Sequence, residues 1–217
     1  MTTDTDTDTD TDAVRDRSSG RAGAERRTTG TAVARTVTDV FQPRNVLLVG
    51  MPGIGVAAAG DWTGVPWGLL GAVCAGLVPA AYIEWERRRG TWGDRHVVDR
   101  RQRAPIFLVI LGSVGTGAAL MTAGGAPRGI LLAMLALWAM TVVLLAVNTV
   151  WKISVDAAVA SAVVAMLAAV HTPWWITGYV LVAAVCWSRV ALAYHSVAQT
   201  LAGASLGAAT AAVLVLA

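Results

Sequence analysis

Ser188-Arg189-Val190-Ala191-Leu192-Ala193-Tyr194-His195-Ser196-Val197-Ala198-Gln199 is a polar island between two apolar runs, Trp174 to Trp187 and Val197 to Ala217. A guanidinium and an imidazole at the edge of hydrocarbon are costly to keep without a use. Arg189 offers a planar fork of donors suited to phosphate. His195 is a titratable nucleophile, and Gln199 lies one helical turn beyond it, where both can share a helix face.

Working outward, the same alternation of long apolar runs and short polar islands fills the chain. The 217 residues are 55% hydrophobic and only 14% charged. That composition excludes an ordinary soluble domain and predicts an all-α, polytopic membrane bundle. The runs are Val46–Gly60, Trp67–Ile83, Pro105–Ala123, Gly129–Val150, Ala157–Val170, Trp174–Trp187 and Val197–Ala217. A span needs about 20 residues, so the first run, short and holding Pro52, is either a tilted span or a re-entrant segment. Six or seven transmembrane helices are expected over residues 45–217. Residues 1–44 read as a disordered tail: a low-complexity Thr-Asp alternation from Thr3 to Asp12, then Arg and Gly. No secretory signal is expected, because the first apolar run starts late. Cys74 and Cys186 fall inside apolar runs and read as small hydrophobes. The formal charge of +3 does not point to nucleic acid.

If all seven runs cross, the tail, the 84–104 connection and the breaks at 151–156 and 188–196 share one side. Of the 17 Lys and Arg, only Arg128 then falls on the other. The positive-inside bias makes the first side cytoplasmic, in a bacterial-type plasma membrane. Trp62, Trp67, Trp174 and Trp175 mark one interface, and Trp85, Trp92, Trp151 and Trp187 the other, with Trp138 in mid-span as the exception.

Three islands converge on that side: Asp94 to Pro105, Lys152-Ile153-Ser154-Val155-Asp156, and the opening stretch. Together they supply cations, a hydroxyl, a carboxylate and a histidine above an apolar bundle. That suits a substrate with an anionic head and a greasy tail, phosphate being the natural anion.

Ser188-Arg189, five residues and His195 resemble the third signature of the type 2 phosphatidic acid phosphatase (PAP2) family, Ser-Arg, five residues, His, three residues, Asp. Gln199 stands where that Asp would be. Lys152 to Asp156 is similar to the second signature, Pro-Ser-Gly-His, with Ser154 matching and Asp156 replacing the His. His96, six residues and Arg103 resemble the first, Lys, six residues, Arg-Pro, although Ala104 separates Arg103 from Pro105. The small-residue run from Ala198 to Gly207 also looks like the helix that follows in bacterial members. The resemblance covers roughly residues 95 to 210. It implies a PAP2-like core and a metal-free lipid phosphatase. His195 would attack phosphorus and form a phosphohistidine, and Gln199 would orient the imidazole. Arg189, Arg103, Lys152, Ser154 and His96 would hold the phosphoryl oxygens. Asp156 would protonate the leaving group, a role that contributes about 10²–10⁴-fold. Because a diphosphate leaves as phosphate and needs less acid help, a prenyl diphosphate is the expected substrate rather than phosphatidic acid.

Two other functions are carried. Asp156, Asp94 and Asp99 could bind Mg²⁺ bridging a diphosphate, as in a membrane terpene cyclase or prenyltransferase of the UbiA type. A non-catalytic, lipid-binding descendant is the third reading. The plainer roles are a helix cap for Ser154, a first-turn carboxylate for Asp156, topology anchors for Arg87–Arg89, Arg100 and Arg101, an ordinary interfacial residue for His171, and close helix packing at glycines 112, 115, 117, 203 and 207.

Overall fold

The computed structural model describes residues 30–89 and 100–216, with side chains from 105 to 212 in the second stretch. Asp94, His96 and Asp99 lie outside the described residues, and Arg103 is described only as helical backbone. Helix α1 (30–40) leads into α2 (Pro43–Ala59). α3 (Val65–Ala72) and α4 (Val78–Arg88) are joined through a π-turn, Val73–Leu77. There follow α5 (Arg100–Gly124), α6 (Arg128–Val150), α7 (Val155–Val170), α8 (Tyr179–Ala191) and α9 (Val197–Leu216). Among the described residues every regular element is helical.

Among the described residues four helices are long and apolar enough to cross a membrane: Trp62–Arg88, Pro105–Gly124, Arg128–Val150 and Pro173–Ala191. The chain is therefore a membrane-embedded helical bundle. Four is fewer than the six or seven transmembrane helices expected from the sequence. α2 and α7, at 17 and 16 residues, are shorter than these four. Trp62, Trp174 and Trp187 stand exposed on the surface, as interfacial anchors do. Mid-span Trp138 is explained by its indole N–H, which donates to the Leu111 carbonyl of α5 at 3.1 Å.

The disordered tail needs correction over residues 30–44. Residues 30–40 form a helix, and Ala34 and Thr38, one turn apart, are its buried positions. The Thr38 hydroxyl donates to Ser188 Oγ at 3.1 Å, and Phe41 packs on Ala160, Val182 and Val185. The Asn45 amide closes the helix end, donating to the Asp39 and Val40 carbonyls at 3.1 and 3.0 Å. This face is built from small residues rather than a hydrophobic stripe, so composition hides it.

The π-turn at Val73–Leu77 loosens the backbone ladder in mid-bundle. A carbonyl released there must find another donor in hydrocarbon. Ser113 of α5 supplies one, its hydroxyl donating to the Cys74 carbonyl at 2.6 Å.

α7 is buried almost all round, mostly by alanines: Ala157, Ala158 and Ala162 are fully enclosed. At about 1.5 Å per residue it is roughly 24 Å long, and its neighbours shield it from lipid. The closest neighbour is α9. A Cβ on Gly203 would sit 2.3 Å from the Ser154 carbonyl oxygen, and one on Gly207 would sit 2.1 Å from that of Ala158. Without side chains at these positions the two backbones touch, which is how helices associate tightly in a medium that offers no hydrophobic drive.

Gly207→Ala should therefore wedge α9 off α7 and destabilise the bundle by about 1–3 kcal/mol, the usual range for overpacking. Gly112→Ala, whose Cβ meets nothing within 4 Å, should leave stability unchanged or raise it slightly. Thermal unfolding of the two variants in detergent, read side by side, checks the contrast.

Candidate functional site

α8 ends just after Arg189, and the way it ends places His195. Leu192 leaves the helix and Ala193 adopts a left-handed conformation at φ 56°. The N–H groups of Tyr194 and His195 both return to the Arg189 carbonyl, at 3.0 and 3.3 Å. This αL cap folds the chain back, so the imidazole stays beside the helix end that carries the guanidinium. A non-glycine residue in this region costs about 1–2 kcal/mol.

Three links tie this turn to the 151–156 break. Lys152 Nζ donates to the Tyr194 carbonyl at 2.7 Å. The Ser154 N–H donates to the Gln199 carbonyl at 3.2 Å. Arg189 Nη2 pairs with Asp156 Oδ1 at 2.9 Å, with side chains only 11% and 18% exposed. The guanidinium also lies 5.9 Å from the centre of the Tyr194 ring, within cation–π range. Asp156 sits in the first turn of α7 and Arg189 in the last turn of α8, so each charge opposes the dipole end it occupies.

The two expected site residues that the structure assigns elsewhere are Ser154 and Gln199. Ser154 is fully buried and its Oγ accepts the Ala157 N–H at 3.4 Å, as the cap of α7. Gln199 is engaged at the start of α9. Its Oε1 accepts the Ser196 N–H at 3.0 Å, while its own N–H donates to Ser196 Oγ at 3.3 Å. That reciprocal pair is a capping box, and its Ser-x-x-Gln spacing before an apolar run is readable in sequence.

A cavity of about 620 Å³ opens at this junction and runs into the bundle. Its polar end carries Lys152, Asp156 and His195. Its walls and floor are apolar, from Leu47, Ile83, Phe107, Val114, Leu137, Met140 and Leu144. Arg189 is not among the lining residues; the wall there is Asp156, and the guanidinium lies behind it. α5 reaches the cavity through Ile106 and Phe107, directly after the stretch that holds Arg103.

Sequence reasoning missed five polar residues of the lining: Gln42 and Arg44 at the start of α2, Glu84 at the end of α4, and Thr141 and Asn148 on α6. Glu84 is held by Arg87 and Arg88 at 2.8 and 2.7 Å. Asn148 is buried, with its amide donating to the Leu144 carbonyl at 2.9 Å. A lone amide inside an apolar run, one turn before Lys152, was the available signal. Arg44 was hidden by its place beside the polar tail.

Comparison with protein-family models, with curated proteins and with solved structures returned no match. What the site can do is therefore argued from its own geometry. Among the described residues no three His, Cys, Asp or Glu side chains gather as a metal site; the expected partners of Asp156 for Mg²⁺, Asp94 and Asp99, are outside them. His171, at the far end of α7, accepts the Trp175 indole N–H at 3.3 Å.

Removing either member of the Arg189–Asp156 pair strands a charge in a nearly closed site, at a cost of about 3–5 kcal/mol. Arg189→Met and Asp156→Leu should each destabilise by that order. The double variant should lose far less than the sum. A double-mutant cycle on chemical or thermal unfolding measures the coupling.

Proposed function

We propose that this protein is a membrane lipid phosphatase that removes phosphate from a prenyl diphosphate or related lipid phosphate through a phosphohistidine. The observation that carries the reading is a cavity with His195, Lys152 and Asp156 in its lining and walls that are otherwise mostly hydrocarbon. Such a shape fits a molecule with an anionic head and a single apolar chain. A diphosphate head meets cations at the mouth, Lys152 in the wall and Arg189 behind Asp156. The variant PAP2 signatures fall on the same residues.

In the proposed reaction a nitrogen of His195 attacks the terminal phosphorus as the bond to the leaving oxygen breaks. Cations at the mouth stabilise charge on the equatorial oxygens, which is the main catalytic demand of phosphoryl transfer. With phosphate on Arg189, Asp156 faces an anion, a setting in which a carboxyl keeps its proton and can pass it to the leaving oxygen. Water then cleaves the phosphohistidine and frees phosphate. Ser154 and Gln199 support the site as helix caps.

The same reading extends to topology. With α2, α7 and α9 also crossing, the bundle has seven crossings. The 151–156 and 188–196 turns then share the Arg-rich face, which the positive-inside bias makes the cytoplasmic side of a bacterial-type plasma membrane.

Purified protein should release phosphate from farnesyl diphosphate faster than from phosphatidate, with no loss in EDTA. His195→Ala should lower the rate by about 10³-fold or more, as removal of a covalent nucleophile does. Acid-labile ³²P should be trapped on the wild type and not on the variant. Equal rates on the two substrates would overturn the substrate preference, and EDTA-sensitive formation of a rearranged hydrocarbon would favour the Mg²⁺-dependent cyclase.

The cavity floor makes a separate demand. Leu137→Trp fills space deep in the apolar part. It should raise KM for farnesyl diphosphate by about tenfold, a loss of roughly 1.4 kcal/mol of chain burial. Isopentenyl diphosphate, whose chain is too short to reach the floor, should be turned over as by wild type.

A further inference from the structure

We propose that Asp156 is a tethered competitor for Arg189, an internal anion that occupies the guanidinium until a terminal phosphate displaces it. The inference rests on the phosphate-site reading above and concerns how that site chooses its ligand.

Three observations carry it. Asp156 lines the cavity and Arg189 does not, so an anion entering from the cavity meets the carboxylate first. The pair is held by a single charge-assisted bond, Nη2 to Oδ1 at 2.9 Å, rather than by the two-pronged grip an arginine can give a carboxylate. Arg189 is 9% exposed, and its Nε is a buried donor with no hydrogen-bond partner among the described residues. A buried N–H left unfilled is expensive, and the fork of Arg189 is thus only partly used. A phosphate brings more oxygens and more charge than the tethered carboxylate, and can engage Nε and Nη2 together.

The consequence follows from population arithmetic. A ligand that needs Arg189 free binds with its intrinsic affinity reduced by the fraction of time the arginine is free. Asp156 imposes that factor on every anion alike. The ratio between ligands is unchanged, but the threshold for occupancy rises. A site open to a bilayer is bathed in monoanionic phosphodiester headgroups. An unguarded arginine would hold them. With Asp156 in place, weak monoanionic diesters fall below occupancy while a terminal phosphate monoester or diphosphate stays above it. Asp156 is in this view the residue that sets the occupancy threshold of the site.

The test uses full-length protein in phosphatidylcholine nanodiscs, with inorganic phosphate at pH 8 as the probe and calorimetry or ³¹P NMR as the readout. Asp156→Asn should bind phosphate at least about tenfold tighter than wild type, and Arg189→Gln should bind none. Replacing part of the lipid with phosphatidylglycerol should weaken phosphate binding to Asp156→Asn and leave wild type unchanged. Equal affinities for wild type and Asp156→Asn, with Arg189 still required, would overturn the competitor and leave the phosphate site standing. Equal sensitivity of the two proteins to phosphatidylglycerol would overturn the threshold. No binding to any folded form would remove the phosphate site, and the inference with it. Should Asp156→Asn not fold, wild type labelled with ¹³C-aspartate gives an independent reading. Saturating phosphate should shift an infrared carboxylate band as Asp156 leaves Arg189, and an unchanged spectrum would overturn the proposal.

Discussion

A buried ion pair, Arg189 with Asp156, is the interaction on which the cavity end of this bundle depends. It joins the last turn of α8 to the first turn of α7, across 33 residues of chain. Neither charge could be kept in such an enclosed place alone, because desolvation costs several kcal/mol per ion. Together they neutralise one another, and the dipoles of both helices add in the favourable sense. The pair also fixes the register of two loops. Once Arg189 is held by Asp156, its backbone carbonyl is held too, and that carbonyl collects the N–H groups that seat Tyr194 and His195.

The pair can form only because α7 comes close enough, and α9 brings that about. Gly203 rests on the carbonyl of Ser154, two residues before Asp156, and Gly207 rests on that of Ala158, two residues after. The contact is backbone on backbone, with no side chain to tilt or hop. Ser154 then spends its hydroxyl on the cap of α7 and its N–H on the carbonyl of Gln199. Gln199 and Ser196 spend theirs on the start of α9. Residues that look like chemistry in a motif are here the joinery that positions it. The left-handed Ala193 belongs to the same set, because its turn gives the motif spacing between Arg189 and His195 a physical meaning.

Much of this was legible in sequence, for specific reasons. Long apolar runs announce membrane helices because lipid leaves backbone groups no partner but their own helix. The nearness of the 151–156 and 188–199 islands followed from counting crossings, and Lys152, Asp156, Arg189 and His195 do meet. The helical segment 30–40 was not legible. Its docking face is Ala34 and Thr38, whose meaning comes only from Ser188 opposite. The capping role of Gln199 went unread although its Ser-x-x-Gln spacing is local, because the motif match drew attention to His195. Arg44 and Asn148 escaped because a cavity is assembled from five or more helices, and no single run records which of its residues face inward.

The order of layers in the cavity constrains what the site can accept. Leu137, Met140 and Leu144 of α6 give the cavity a lipid-like wall, and its Lys152, Asp156 and His195 come from two turns and the start of α7. On the proposed reading, a chain lying against that wall brings its head to Lys152, Asp156 and His195, because those groups lie at the junction of the two turns. The head must then be anionic to gain from the cations, yet it meets a carboxylate before the guanidinium. A weakly charged head would gain too little to part Asp156 from Arg189, and a highly charged head without a chain would forgo the apolar wall. Only a molecule with both features draws on the whole cavity. On the proposed reading the bundle thus imposes a conjunction of charge and chain that neither part of the site would impose by itself.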